Sequence, residues 1–154
     1  MVKEIIRTLG ESNETLVTAE SITAGGLSAA ITSVEGSSQI FLGAIVAYQD
    51  HVKVNVLGVD EAIIAKHTVY SQEVAVAMAH EVREKFGATW AIATTGVAGP
   101  NPLDGHPVGA VWVAIEGPIS QTIELSLSGE RESVRNAATS SAIASFARIL
   151  RHRA

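Results

Sequence analysis

The tightest constraint on this chain is that a strand must end and a helix begin within a few residues of Ser21. Thr15-Leu16-Val17-Thr18-Ala19 is an apolar, β-branched run that reads as a buried strand. Leu27, Ala30 and Ile31 then recur at helical spacing in an alanine-rich stretch. Between them, Glu20-Ser21-Ile22-Thr23-Ala24-Gly25-Gly26 puts an acid, two hydroxyls and two glycines on one sharp turn. The first turn of a helix leaves N–H groups unpaired, and with the positive end of the dipole these favour an anion or a developing oxyanion. The glycines let a ligand or another backbone come close. Two readings fit these residues. Ser21 or Thr23 caps the helix, or Ser21 is a nucleophile with its support on the same turn, and Glu20, Thr23 and Gly25 are then candidate substrate-binding residues.

The rest of the chain alternates between the two periods. Residues 3–11 suit a short helix with Ile5, Ile6 and Leu9 on one side, ended by Gly10. Residues 39–48 read as a second, central strand. Residues 50–58 are ambiguous: Val52, Val54 and Val56 alternate like a strand, while Asp50 and Gly58 suit the two ends of a helix. Asp60-Glu61 starts a short helix, and Ser71 opens a longer one with Val74, Met78, Val82 and Phe86 on one face. Strands follow at 89–94 and 108–115, separated by the irregular stretch from Thr95 to Gly105. Residues 119–127 alternate as an antiparallel edge strand. A final helix over 130–151 buries Val134, Ala138, Ser141, Ser145 and Ile149. With aromatic residues at only 5%, the core must be built from Ala, Val, Ile and Leu. The expected fold is α/β: one domain over 1–154, a three-layer α/β/α sandwich with a mixed, mostly parallel sheet of about five strands.

Composition narrows the chemistry. There is no cysteine, which removes disulfides, thiolate–metal sites and a Cys nucleophile together. A net charge of -5 argues against coating nucleic acid. No stretch approaches the ~20 apolar residues of a membrane span, and the N-terminus does not resemble a signal peptide, so a cytoplasmic protein without membrane contact is expected. His51, His67, His80, His106 and His152 are scattered without metal-ligand spacing, so neither metal nor cofactor is expected.

In an open α/β sheet, ligands bind beyond the carboxyl ends of the parallel strands. Three loops leave strands at that edge: one with Ser21, one with Tyr48 and Lys53, one with Thr95 and Gly96. A serine needs a group to take its proton. Lys53, desolvated between Val52 and Val54, suits that task better than the histidines, with Tyr48 placed to relay or orient the proton and His51 in reserve. For any single lysine, an exposed charge on a helix is the more common case. Thr95 and Gly96 can cradle a polar ligand. Arg131 and Arg135, at the start of the last helix, suit a phosphate, or simply balance Glu130 and Glu132.

Five blocks in order, TAESITAGGLSAAIT, VAYQDHVK, TTGVAGP, HPVGAVW and SGERESVRNAA, resemble the C-terminal domain of the competence/damage-inducible CinA family over residues 3–150. The likeness is greatest to its stand-alone members, which are nicotinamide mononucleotide amidases. The resemblance implies hydrolysis of nicotinamide mononucleotide to nicotinate mononucleotide and ammonia, in pyridine nucleotide recycling, by a serine–lysine mechanism without metal, and a homodimer. It carries the serine onto Ser21, the lysine onto Lys53, the tyrosine onto Tyr48, the hydroxyl before Gly-Val-Ala-Gly-Pro onto Thr95 and the arginine after Ser-Gly-Glu onto Arg131. Many relatives have Cys where this chain has Ile22, and the segment 101–105 departs from the usual glycine-rich insert. A non-catalytic pyridine-nucleotide-binding module and an amidohydrolase of another nucleoside amide stand as alternatives.

Overall fold

The computed structural model describes residues 1–153, and the strand before Ser21 lies inside its sheet. β1 (Leu16–Glu20) runs parallel to β2 (Phe41–Val46) on one side and to β3 (Trp90–Gly96) on the other. β4 (Ala110–Glu116) pairs antiparallel with β3, and β5 (Gln121–Ser126) antiparallel with β4. The order is β2-β1-β3-β4-β5, so four of the five strands point one way and β4 the other. Because the chain leaves β1 for a neighbour on one side and later returns on the other, the carboxyl end of β1 is a topological switch point.

Strand alternation fills the two faces differently. Leu16, Trp90, Ile92, Val111, Val113 and Ile115 face α1 (Val2–Ser12), α2 (Gly26–Thr32) and α6 (Arg131–His152). There Trp90 meets Phe146 edge to face, with ring centroids 5.2 Å apart. On the opposite face Val17, Ala19, Ala91, Ala93 and Ala114 lie under Val74, Met78 and Val82 of α5 (Gln72–Phe86), which α4 (Glu61–His67) flanks. Small strand residues let α5 sit close. Helices on both faces make the expected three-layer sandwich. Ser71 caps α5 by accepting the Val74 N–H at 3.3 Å, and Gly87, at φ 62°, ends it.

Three local expectations change, and one ambiguity is resolved. Gly10 lies within α1, which runs on to Ser12 and is ended by Asn13 in a left-handed conformation that Asn tolerates. The second strand is an edge strand, not a central one: β2 has a neighbour only in β1, and Leu42 and Val46 are nearly half exposed. Phe41 packs on the side of α1 and α6 and Ile45 on the side of α5, while Leu42 and Val46 are left toward solvent. Residues 50–57 are helical, as α3 (Asp50–Val52) followed by a π-helical turn over Lys53–Leu57. Along α6, Ser141 is only half-buried, and Ala142, Ile143 and Phe146 carry the buried stripe instead.

The turn between β1 and α2 is built on a buried carboxylate. Alternation puts Glu20 on the same face as Leu16 and Thr18, under the start of α2, and it is fully buried. Its Oε1 accepts the Gly25 N–H at 3.1 Å, the Leu27 N–H at 2.9 Å and the Thr23 hydroxyl at 2.6 Å. Its Oε2 accepts the Ser28 N–H at 3.0 Å, together with the hydroxyls of Ser28 and Thr18. The open N–H groups of the first helical turn are therefore satisfied from the strand. Neither Ser21 nor Thr23 caps α2, and that turn's donors at Gly25, Leu27 and Ser28 are not free for an anion. Every partner is a donor, which only a carboxylate can meet at both oxygens. Glu20→Gln turns an NH₂ group toward N–H donors, and we expect it to lower stability by about 2–4 kcal/mol in urea unfolding. A variant as stable as the native protein would contradict this account of the turn.

Candidate active site

Two hydrogen bonds tie the ends of the three parallel strands together. The Ser21 N–H donates to the Thr94 carbonyl at 3.0 Å, and the Ala47 N–H donates to the Glu20 carbonyl at 2.8 Å. The loops that leave β1, β2 and β3 consequently converge on one cavity of about 170 Å³. Ser21 and Ile22 contribute from the first loop, Tyr48, Asp50 and Lys53 from the second, and Gly96, Ala98 and Gly99 from the third. Val69 and Tyr70 close it from the segment before α5, Leu103 from the irregular stretch, and Arg131 from the first residue of α6.

Ser21 is 6% exposed, and its hydroxyl stays out of the Glu20 network, which takes those of Thr18, Thr23 and Ser28. Lys53 is 1% exposed, and its Nζ donates to the Tyr48 carbonyl at 3.0 Å. The π-helical turn begins at Lys53. The Lys53 carbonyl accepts the N–H groups of both Gly58, at 3.0 Å, and Val59, at 2.9 Å, closing the widened turn. Burial lowers the Lys53 pKa to about 8, against the opposing pull of the Asp50 carboxylate. Of the valines around it, Val52 and Val54 are half-buried and Val56 is 54% exposed. No cation contributes to the lowering. Among the described residues no group of three or more His, Asp or Glu is placed to hold a metal ion, and no helix is long and apolar enough to cross a membrane.

The remaining predicted residues divide. Arg131 reaches over the cavity mouth, donating to the Gly99 carbonyl at 2.6 Å and to the Tyr48 hydroxyl at 2.6 Å. Gly96 lines the wall, and a Cβ there would meet the Ala110 carbonyl oxygen at 2.7 Å, so β-sheet packing also demands glycine. Glu20, Thr23 and Gly25 lie behind Ser21 and are bonded to one another. Thr95 points to the other face of the sheet, where its hydroxyl donates to the Val69 carbonyl at 2.7 Å. Arg135 donates to the carbonyls of Ile22 and Thr23. His51 is exposed and lines a neighbouring cavity, apart from Ser21.

Thr94, opposite Glu20 in the β1–β3 register, pairs its hydroxyl with Thr23 Oγ1 at 2.8 Å. One residue escaped the sequence reading. Tyr70 faces the cavity beside Asp50, and its phenol is held above its usual pKa, first by burial and then by the carboxylates of Asp104 and Asp50. No motif marks it. Beyond Arg131 lies a second hollow of about 440 Å³, lined in part by Thr23, Arg131, Arg135, Asn136 and Thr139.

Comparison with known proteins adds a family. A family model described as the CinA C-terminal domain matches residues 1–150. A CinA-like protein of Frankia casuarinae is 42% identical over 147 residues, which cover 95% of this chain and 34% of the relative. Another from Prochlorococcus marinus is 48% identical over 115 residues, covering 74% of this chain and 27% of the relative. The chain thus spans about a third or less of the length of these curated relatives. Among solved structures, the competence damage-inducible protein A (ComA) from Klebsiella pneumoniae superposes with a TM-score of 0.95 at 32% identity, covering 99% of this chain and 96% of that one. A competence or damage-inducible protein from Enterobacter asburiae gives a TM-score of 0.94 at 28% identity, with coverage of 97% and 95%.

The buried lysine makes a testable demand on stability. Below pH 8 the folded state must carry a charge that burial disfavours, whereas the unfolded chain holds its proton up to its ordinary value of 10.5. The unfolded state therefore binds more protons between these values, and stability is regained as pH rises through that window. Lys53→Met should stabilise the fold at pH 7 by on the order of 2 kcal/mol, with the gain shrinking toward pH 10. A destabilised Lys53→Met protein at pH 7 would contradict the desolvated lysine.

Proposed function

This chain belongs to the CinA C-terminal domain family, and from that premise we propose that it is a serine–lysine amidohydrolase that converts nicotinamide mononucleotide to nicotinate mononucleotide and ammonia. The observation that carries the reading is a fully buried lysine, with its pKa lowered to about 8, on the wall of the same cavity as Ser21. At neutral pH about a tenth of such a lysine is already the free amine.

In the proposed reaction the neutral Lys53 amine takes the Ser21 hydroxyl proton as Oγ adds to the carboxamide carbon. The carbonyl electron pair moves to oxygen. Collapse of this tetrahedral species re-forms the carbonyl, breaks the C–N bond and returns the proton from Lys53 to the leaving nitrogen, so ammonia departs and an ester to Ser21 remains. Water, deprotonated by the same amine, then hydrolyses the ester. The cavity of about 170 Å³ suits the pyridine carboxamide, not the whole nucleotide. The ribose phosphate then lies toward the mouth, where Arg131 offers a planar, two-pronged donor. A phosphate there replaces the neutral Tyr48 hydroxyl with a charged acceptor.

The test is ammonia release from nicotinamide, its riboside, its mononucleotide and the dinucleotide. We expect the mononucleotide to be preferred, the rate to climb with pH to a plateau above about 8, and Ser21→Ala to abolish turnover. Arg131→Ala should cost about 1.5–3 kcal/mol in kcat/KM toward the mononucleotide and little toward the riboside. Tight mononucleotide binding without ammonia release would make the chain a binding module instead. Equal losses on both substrates would remove Arg131 from the phosphate.

A further inference from the structure

The turn that carries Ser21 hides two peptide N–H groups that its own hydrogen bonds do not use. Ser21, Ile22 and Thr23 are 6%, 3% and 1% exposed. The N–H groups of Ser21, Ala24, Gly25 and Gly26 are taken by the Thr94 carbonyl, the Ser21 carbonyl, the Glu20 carboxylate and the Thr23 carbonyl in turn. Those of Ile22 and Thr23 have no partner among the described residues. Buried backbone donors are rarely left so.

Their direction follows from the carbonyls they share peptides with. In a trans peptide the C=O and the following N–H point to opposite sides. The Ile22 carbonyl accepts from Arg135 Nε at 3.0 Å, so the Thr23 N–H points away from Arg135. A second Arg135 nitrogen donates to the Thr23 carbonyl at 3.3 Å. The Ser21 carbonyl accepts the Ala24 N–H at 3.1 Å, which turns the Ile22 N–H outward from the turn. Ile22 itself is on the cavity wall. Arg135 is engaged with carbonyls, with Glu130 and Glu132 forming no ion pair to it among the described residues.

We propose that Arg135 is a positioning residue, which grips the back of the Ser21 turn and so aims the Ile22 and Thr23 N–H groups at the oxygen of the group that Ser21 attacks. The inference rests on Ser21 acting as the nucleophile. When Oγ adds to the carbonyl carbon and the electron pair moves onto oxygen, that oxyanion lies against two donors already in place, with no reorganisation needed. Arg135 touches neither the substrate nor the oxyanion. Its effect falls on the rate of the chemical step and not on substrate affinity.

The experiment compares the native protein with Arg135→Met and Arg135→Lys in two assays, after urea unfolding has established that each is folded. One is the kcat and KM for ammonia release from nicotinamide mononucleotide. The other is the rate at which a simple alkyl fluorophosphonate labels Ser21. In that reaction the Oγ–P bond forms, the P–F bond breaks, fluoride leaves and the hydroxyl proton passes to Lys53, with the phosphoryl oxygen needing the same donors. Expected for Arg135→Met is a fall of roughly 10²-fold in both kcat and labelling rate, with KM changed by no more than about twofold. Arg135→Lys should recover part of the loss, since an ammonium can still donate to one carbonyl. A raised KM with unchanged kcat and labelling would overturn the proposal and return Arg135 to substrate binding. If the native protein releases no ammonia, the substrate reading fails, yet the labelling ratio still decides this one. A native protein that resists labelling altogether overturns the donor pair as well.

Discussion

The buried carboxylate of Glu20 is the interaction on which the site depends. A strand that ends against a helix must satisfy the helix's first N–H groups, and here one side chain from the strand does so for Gly25, Leu27 and Ser28. Thr18, Thr23 and Ser28 close the remaining positions around it, and Thr94 joins from β3 through Thr23. A charge without exposure is tolerable only when it is this fully bonded. The result is a turn pinned from several sides, in which the Ser21 hydroxyl is left outside the network.

Lys53 shows the opposite balance. Its amino group has one backbone acceptor, the Tyr48 carbonyl, and is otherwise surrounded by the wall of the cavity. Burial there disfavours the charged form, which costs stability and makes the free amine available near neutral pH. The two buried ionisable groups divide the work. Glu20, held by donors on both oxygens, builds the frame, while burial disfavours the charged form of Lys53. Arg131, reaching from α6 to Gly99 and Tyr48, ties together the loops after β2 and β3.

Much of this was legible in the residues. The period-two and helical patterns place all five strands and the long helices, and the alternation of strands with helices yields the layered sandwich. The convergence of three loops follows from the rule for parallel strands, once β1 lies between β2 and β3. What stayed hidden depends on facts that periodicity does not encode. The apolar run in β2 reads alike for an edge and a centre, because partial burial of Phe41 and Ile45 on opposite faces is enough to require it. Val52, Val54 and Val56 mimic a strand, and only the packing of Lys53 and Leu57 inward decides for a widened helical turn. That the acid before Ser21 is the helix cap, and not a partner of substrate, required knowing which face of β1 meets α2.

The proposed chemistry turns on one property, an amine with a pKa near neutrality on the wall of the cavity that Ser21 shares. Selective ¹⁵N labelling of lysine, with NMR observation of the Nζ resonance of Lys53 across pH 6–11 and Lys53→Met to assign it, measures this directly. The expected midpoint is near 8, well below the ~10.4 of a free lysine side chain. A Lys53 that titrates as a free side chain does would show a solvated charge, and the proposed serine–lysine chemistry would have no base.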